Sequence, residues 1–104
     1  MPNFLIAYYG VYKPASTVAG IAQTQKWKAW VESLGDAVIN PGTPLQASKI
    51  VTSDGVTEDN NHNAMSGFVV IKAANMDAAV EIARSDPFLE TGGKIRVSQM
   101  MEMP

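Results

Sequence analysis

Two stretches of this chain are too apolar on both sides to lie on a sheet that faces water. Phe4 to Val11 and Phe68 to Ile71 are rich in aromatic and β-branched residues, which favour strands, yet neither alternates with polar ones. A strand wetted on one face alternates, whereas one covered on both faces reads as a continuous apolar run. Whatever sheet forms here therefore needs cover on two sides. With 104 residues the chain is of single-domain size, so residues 1–104 are expected to share one core.

The surrounding pattern places the other elements. Asn3 to Tyr12 reads as the first strand and Lys13-Pro14-Ala15-Ser16 breaks it. In the following segment Val18, Ile21, Ala22, Gln25 and Ala29 share one helical face, while Trp27, Trp30, Val31 and Leu34 share a nearly opposite one. Gly20 suggests a seam, so Ser16 to Gly20 is expected to be an irregular entry and about Ile21 to Leu34 a helix packed through its Trp27 stripe. Gly35 suits its C-terminus. Asp36 to Asn40 is a short strand closed by Asn40-Pro41-Gly42, and Gln46 to Thr52 a weaker one. Val56 to Ala64, with Glu58, Asp59, Asn60, Asn61, His62 and Asn63, reads as a polar loop. Ser66 to Ala73 is the second strong strand. Asn75 caps a helix whose buried face is Met76, Ala79, Val80 and Ala83, and Pro87 stops it near Ser85. After Gly92-Gly93 comes a last strand, Lys94 to Met101.

Strand, helix, two short strands, strand, helix, strand is an α+β order, two split β-α-β halves in the ferredoxin-like arrangement. It puts two helices on one face of an antiparallel sheet. Two helices cover one face only, and the economical cover for the other is a second copy of the chain, giving a dimeric α/β barrel. A monomer with Tyr8, Tyr9 and Tyr12 partly exposed is the alternative. Composition narrows the partners. A formal net charge of −2 without any Lys/Arg cluster argues against nucleic acid. No apolar run approaches a bilayer span, and no leader pattern precedes Phe4, so a cytoplasmic protein without a membrane partner is expected. The absence of cysteine excludes thiolate chemistry and disulfides. No metal is expected, since His62 is the only histidine and its spacing fits neither a zinc nor a calcium motif. No Gly-rich phosphate cradle is present either, because Gly92-Gly93 precedes a strand, and no cofactor is expected.

Several segments, in order, resemble the YCII-related family of small dimeric α/β-barrel proteins. They are the opening strand, Trp27 to Leu34, Asn40 to Leu45, Gly67 to Ile71, Asn75 to Val80, Asp86-Pro87-Phe88 and Lys94 to Val97. The resemblance implies the same fold. It also implies an acid–base pairing, seen in many members, between a histidine on the first helix and the aspartate of an Asp-Pro-aromatic element. Asp86 matches that aspartate, whereas Trp27 stands at or beside the histidine position and the first helix holds no histidine. A related branch carries Asp-Gly-Pro-Phe before its third main strand; Ser53-Asp54-Gly55-Val56-Thr57 departs from it after the glycine.

Each candidate has two readings. Asp86 is either a general base, or orienting group, or the initiator of the turn before Pro87. Trp27 and Trp30 are either core or, for Trp27, a stacking wall of a ligand pocket. Tyr8 and Tyr12 either pack with a polar tip at the rim or send a hydroxyl into that pocket. His62 is either a solvated loop residue or a group delivered to Asp86 by a folded-over loop. The expected function is binding of a small, partly apolar or aromatic molecule between the sheet and the first helix, with acid–base chemistry through Asp86 left open. The alternative is a non-catalytic interaction or regulatory module whose apolar sheet serves dimerisation alone.

Overall fold

In the computed structural model, residues 1–10, 16–59 and 64–103 are described. A four-stranded antiparallel sheet has the order β2-β5-β1-β6, built from β1 (Asn3–Tyr9), β2 (Val38–Pro44), β5 (Met65–Lys72) and β6 (Lys94–Gln99). The two apolar runs are thus the central strands, paired from Asn3↔Lys72 to Tyr8↔Gly67. With α1 (Thr17–Ser33) and α2 (Met76–Arg84) this is the α+β, ferredoxin-like arrangement expected from the element order.

Period-two alternation decides which side chains meet the helices. Phe4, Ile6 and Tyr8 of β1 and Val69 and Ile71 of β5 form the core with Ala73, Ala79 and Ala83, and Ile95 and Val97 of β6 pack against it. Leu5, Ala7 and Tyr9 alternate to the opposite face, where Ala7 lies between Phe68 and Arg96 in the register. Arg96 caps the Tyr9 ring there, 5.2 Å from its centroid.

Three local expectations are corrected. The first helix has no irregular entry: Ser16 is its N-cap, its Oγ accepting Ala19 N–H at 3.1 Å, and α1 runs from Thr17. A satisfied cap offsets the roughly 1 kcal/mol that an internal Gly20 costs against alanine. The helix packs through its tryptophan side, with Trp30 buried, while Val18 and Ile21 of the other stripe are exposed. Second, part of the expected loop is a strand: β4 (Gly55–Glu58) pairs with β3 (Lys49–Thr52) in a separate hairpin across Ser53-Asp54. Gly55, at φ 136°, supplies the backbone form that this tight turn needs. Third, α2 buries Ala79 and Ala83, but Met76 and Val80 stay exposed.

Candidate ligand site between the sheet and the first helix

Tyr8 stands where β1 and β5 lose their one-to-one pairing. It faces Gly67 while Tyr9 faces Met65, so Ser66 is the extra residue of a bulge. A bulge re-aims the side chains around it. Ser66 Oγ donates to the Tyr8 carbonyl at 3.3 Å, and its own carbonyl accepts Leu45 N–H at 2.8 Å, tying β1 to the end of β2. Gly67 leaves room for the phenol, since a Cβ there would lie 3.3 Å from the Tyr8 ring.

Asp86 reaches the same place from the other end of the chain. Its backbone N–H bonds to the Ala83 carbonyl at the end of α2, and its Oδ1 caps a 3-10 turn, Pro87–Thr91, by accepting Phe88 N–H at 2.8 Å. The other oxygen, Oδ2, accepts the Tyr8 hydroxyl at 2.5 Å. Trp27 donates its indole N–H to that hydroxyl at 2.9 Å. A single hydrogen-bonded chain therefore runs from Trp27 through Tyr8 to Asp86. The Asp86 residue is 3% exposed, and no fully buried side-chain polar atom among the described residues lacks a partner.

The 3-10 turn and the end of α2 before it are fastened to α1 along one helical stripe. Gln23 donates to the Pro87 carbonyl at 3.0 Å, Lys26 pairs with Glu90 at 3.2 Å, and Trp30 donates to Ser85 Oγ at 2.8 Å. The exposed ion pair is worth at most about 1 kcal/mol. Phe88 lies beside Tyr8, ring centroids 4.8 Å apart, and over Gly93, where any Cβ would strike its ring.

Burial pushes the Asp86 carboxyl above the usual carboxylate range, opposed in part by the bonds from Tyr8 and from Phe88 N–H. Burial likewise raises Tyr8, with Asp86 adding to the effect and Trp27 opposing it. Tyr8 thus keeps its proton at neutral pH, hydrogen-bonded to a carboxylate of raised basicity. Chemically, such a pair is able to take a proton in concert, were a ligand O–H to reach Tyr8 Oη: the Tyr8 proton would pass to Asp86 Oδ2 as the ligand's proton replaced it.

A cavity of about 190 Å³ opens in front of this chain, walled by Tyr8, Trp27, Phe88, Gly67, Pro44 and Thr24 and mostly apolar. Tyr8 and Trp27 therefore share one wall. Asp86 is not part of it and is joined to it through its bond with the Tyr8 hydroxyl. Tyr12 and His62 lie outside the described residues. Trp30 bonds Ser85, away from the cavity. Among the described residues no three His, Asp or Glu side chains gather as a metal site, and no helix is long and apolar enough to cross a membrane. The cavity residues not singled out from sequence differ in how visible they were. Gln23 and Thr24 precede Trp27 by four and three positions, so helical spacing puts them on its face. Ser66 joins the wall through a bulge, for which a single sequence carries no signal.

A family model described as a YCII-related domain matches residues 5–104. Among solved structures, the chain is similar to 5-chloro-2-hydroxyhydroquinone dehydrochlorinase from Burkholderia phenoliruptrix, a complex with 2,5-dihydroxybenzoquinone. Identity is 20%, the match covers 97% of this chain and 95% of that one, and the TM-score is 0.63. At that identity the likeness establishes the fold. No curated protein matches the chain.

Proposed function

The chain belongs to the YCII-related domain family, and from that premise we propose that it binds a small, partly apolar or aromatic molecule in the cavity between β1, β5 and α1. One observation carries the reading: Tyr8, its hydroxyl fixed between Trp27 and Asp86, lines a mostly apolar cavity. Convergence of a few fixed polar groups on an apolar hollow is the usual form of a small-molecule site. The structural relative, a dehydrochlorinase in complex with 2,5-dihydroxybenzoquinone, supports a ring as the ligand. Asp86 acts in this reading as the proton acceptor behind Tyr8, so any acid–base step passes through the phenol. An interaction module without a ligand would fill that space with the Tyr8 and Trp27 rings, whereas here they stand at its edge. A second copy of the chain covers the outer sheet face, completing a homodimer.

The test is a thermal-shift screen of monocyclic compounds, with hits mapped by NMR. Hits are expected to raise the melting temperature saturably and to move the Trp27 indole N–H resonance. Hits that leave that resonance in place, or a screen without hits, would remove the cavity as the binding site.

A further inference from the structure

The hydroxyl groups around the cavity have their protons committed elsewhere. Tyr8 donates to Asp86 at 2.5 Å, Thr24 to the Gly20 carbonyl at 3.0 Å, and Ser66 and Thr43 to the Tyr8 and Pro44 carbonyls at 3.3 Å each. The last two are long for O–H···O bonds, so the commitment is firmest at Tyr8 and Thr24. A carbonyl oxygen can only accept, so in each bond to one the hydroxyl must be the donor. The Trp27 indole N–H is likewise spent, on Tyr8. What these groups have left to offer is lone pairs. Gln23 alone among the lining side chains keeps a spare N–H, because its amide has two and gives one to Pro87. Among the described residues no Lys, Arg or His lines the cavity, and the carboxyl bonded to the Tyr8 hydroxyl belongs to Asp86.

We infer that the cavity selects a neutral single ring carrying a hydroxyl or amine donor, and rejects carboxylates and phosphates. This rests on the proposed ligand-binding reading and adds the class of ligand to it. Among the described side chains an anion entering here would meet acceptor oxygens, no cation and the one spare Gln23 N–H, giving up its hydration for little in return. A ring bearing only acceptors would find a single donor, the spare Gln23 N–H, among lone pairs. A ring donor instead finds the free lone pair of Tyr8 Oη, whose other contacts are already fixed by Trp27 and Asp86. Size supports one ring: a dry cavity of about 150 Å³ already accommodates benzene, and this one is about 190 Å³.

The experiment titrates phenol, anisole, toluene and benzoate into the full chain, read by the Trp27 indole N–H resonance and by tryptophan fluorescence. Phenol is expected to bind about tenfold more tightly than anisole, with benzoate the weakest of the four. In Tyr8→Phe the advantage of phenol over anisole is expected to disappear while toluene binding persists. The wild-type series decides the matter even if that variant folds poorly. Anisole binding as well as phenol, or benzoate binding best, would overturn the donor rule and leave the cavity as a ligand site. If none of the four binds there, both the rule and the site reading fall.

Discussion

Asp86 holds two bonds of different kinds, one to the local backbone of its turn and one across the fold to Tyr8. Its turn-capping role and its link to the cavity are one arrangement. Because burial raises its pKa, the folded state holds the Asp86 proton more tightly than the unfolded chain does. The stability associated with the protonated form is then fully present below the unfolded value, near ~4, and is lost as pH rises through the folded one. Wild type should accordingly gain on Asp86→Asn as pH falls from 7 towards 4.5, and urea denaturation at several pH values measures this. At pH 7 the variant should lose about 1–3 kcal/mol, because asparagine still accepts Phe88 N–H but turns its NH2 toward the Tyr8 hydroxyl, which loses its acceptor. A wild type that gains on the variant as pH rises would contradict the direction of the shift. At Trp27, substitution by histidine should cost about 1–2 kcal/mol, since it removes ring packing beside Tyr8. An unchanged urea midpoint would mean that the indole contributes little there.

Among the elements, β2 shows how closely backbones approach around the site. Asn40 Oδ1 accepts Gly42 N–H at 2.8 Å, turning the chain inside the strand, and Gly42 sits at φ 68°. A Cβ on Gly42 would lie 1.6 Å from the Phe68 carbonyl oxygen. Gly42→Ala should therefore push β2 from β5 and destabilise by about 3 kcal/mol or more. Gly92→Ala is the control: its φ is also positive, at 83°, but a Cβ there meets nothing within 4 Å, so the backbone penalty of about 1–2 kcal/mol stands alone. Equal thermal-shift losses for the two would refute the close approach. The β3–β4 hairpin is a different case. All of its strand residues are exposed, and a two-stranded hairpin is marginal in water. Its amides should exchange by local opening well before those of β1 and β5, as hydrogen-exchange mass spectrometry would show.

The whole molecule is a thin slab, 42 × 38 × 18 Å, with helices on one side of the sheet only. Its radius of gyration, 14.9 Å, exceeds the about 13 Å of a compact domain this long. The outer face keeps Leu5, Ala7, Phe68 and Val70 at its centre, with Arg96 and Lys94 on the β6 side. An apolar centre with a charged margin is the form of a covered interface. Light scattering at micromolar concentration should give twice the mass of one chain, and Phe68→Glu should halve it. A wild-type mass of one chain would leave that face without its second copy.

The sequence alone determined the order of the four main strands and two helices and which strands are central, because periodicity is a local property of the chain: Phe4–Val11 and Phe68–Ile71 do not alternate as a strand wetted on one face would. It also supplied two residues of the cavity wall, Tyr8 and Trp27, and the Asp86 bonded to one of them, through their types and the family resemblance. It misread Ser16 to Gly20, where one cap outweighed a glycine, and β4, whose partner is the weak strand before it. What only the tertiary structure decided is how the three residues are joined. Tyr8 and Asp86 are 78 positions apart, and their bond depends on a bulge at Ser66, the crossing of α1, and a 3-10 turn capped by Asp86 itself. Spacing along one strand or helix reports which face a side chain takes. It cannot report which hydroxyl an indole and a carboxylate will share, because that is set by contacts among elements distant in the chain.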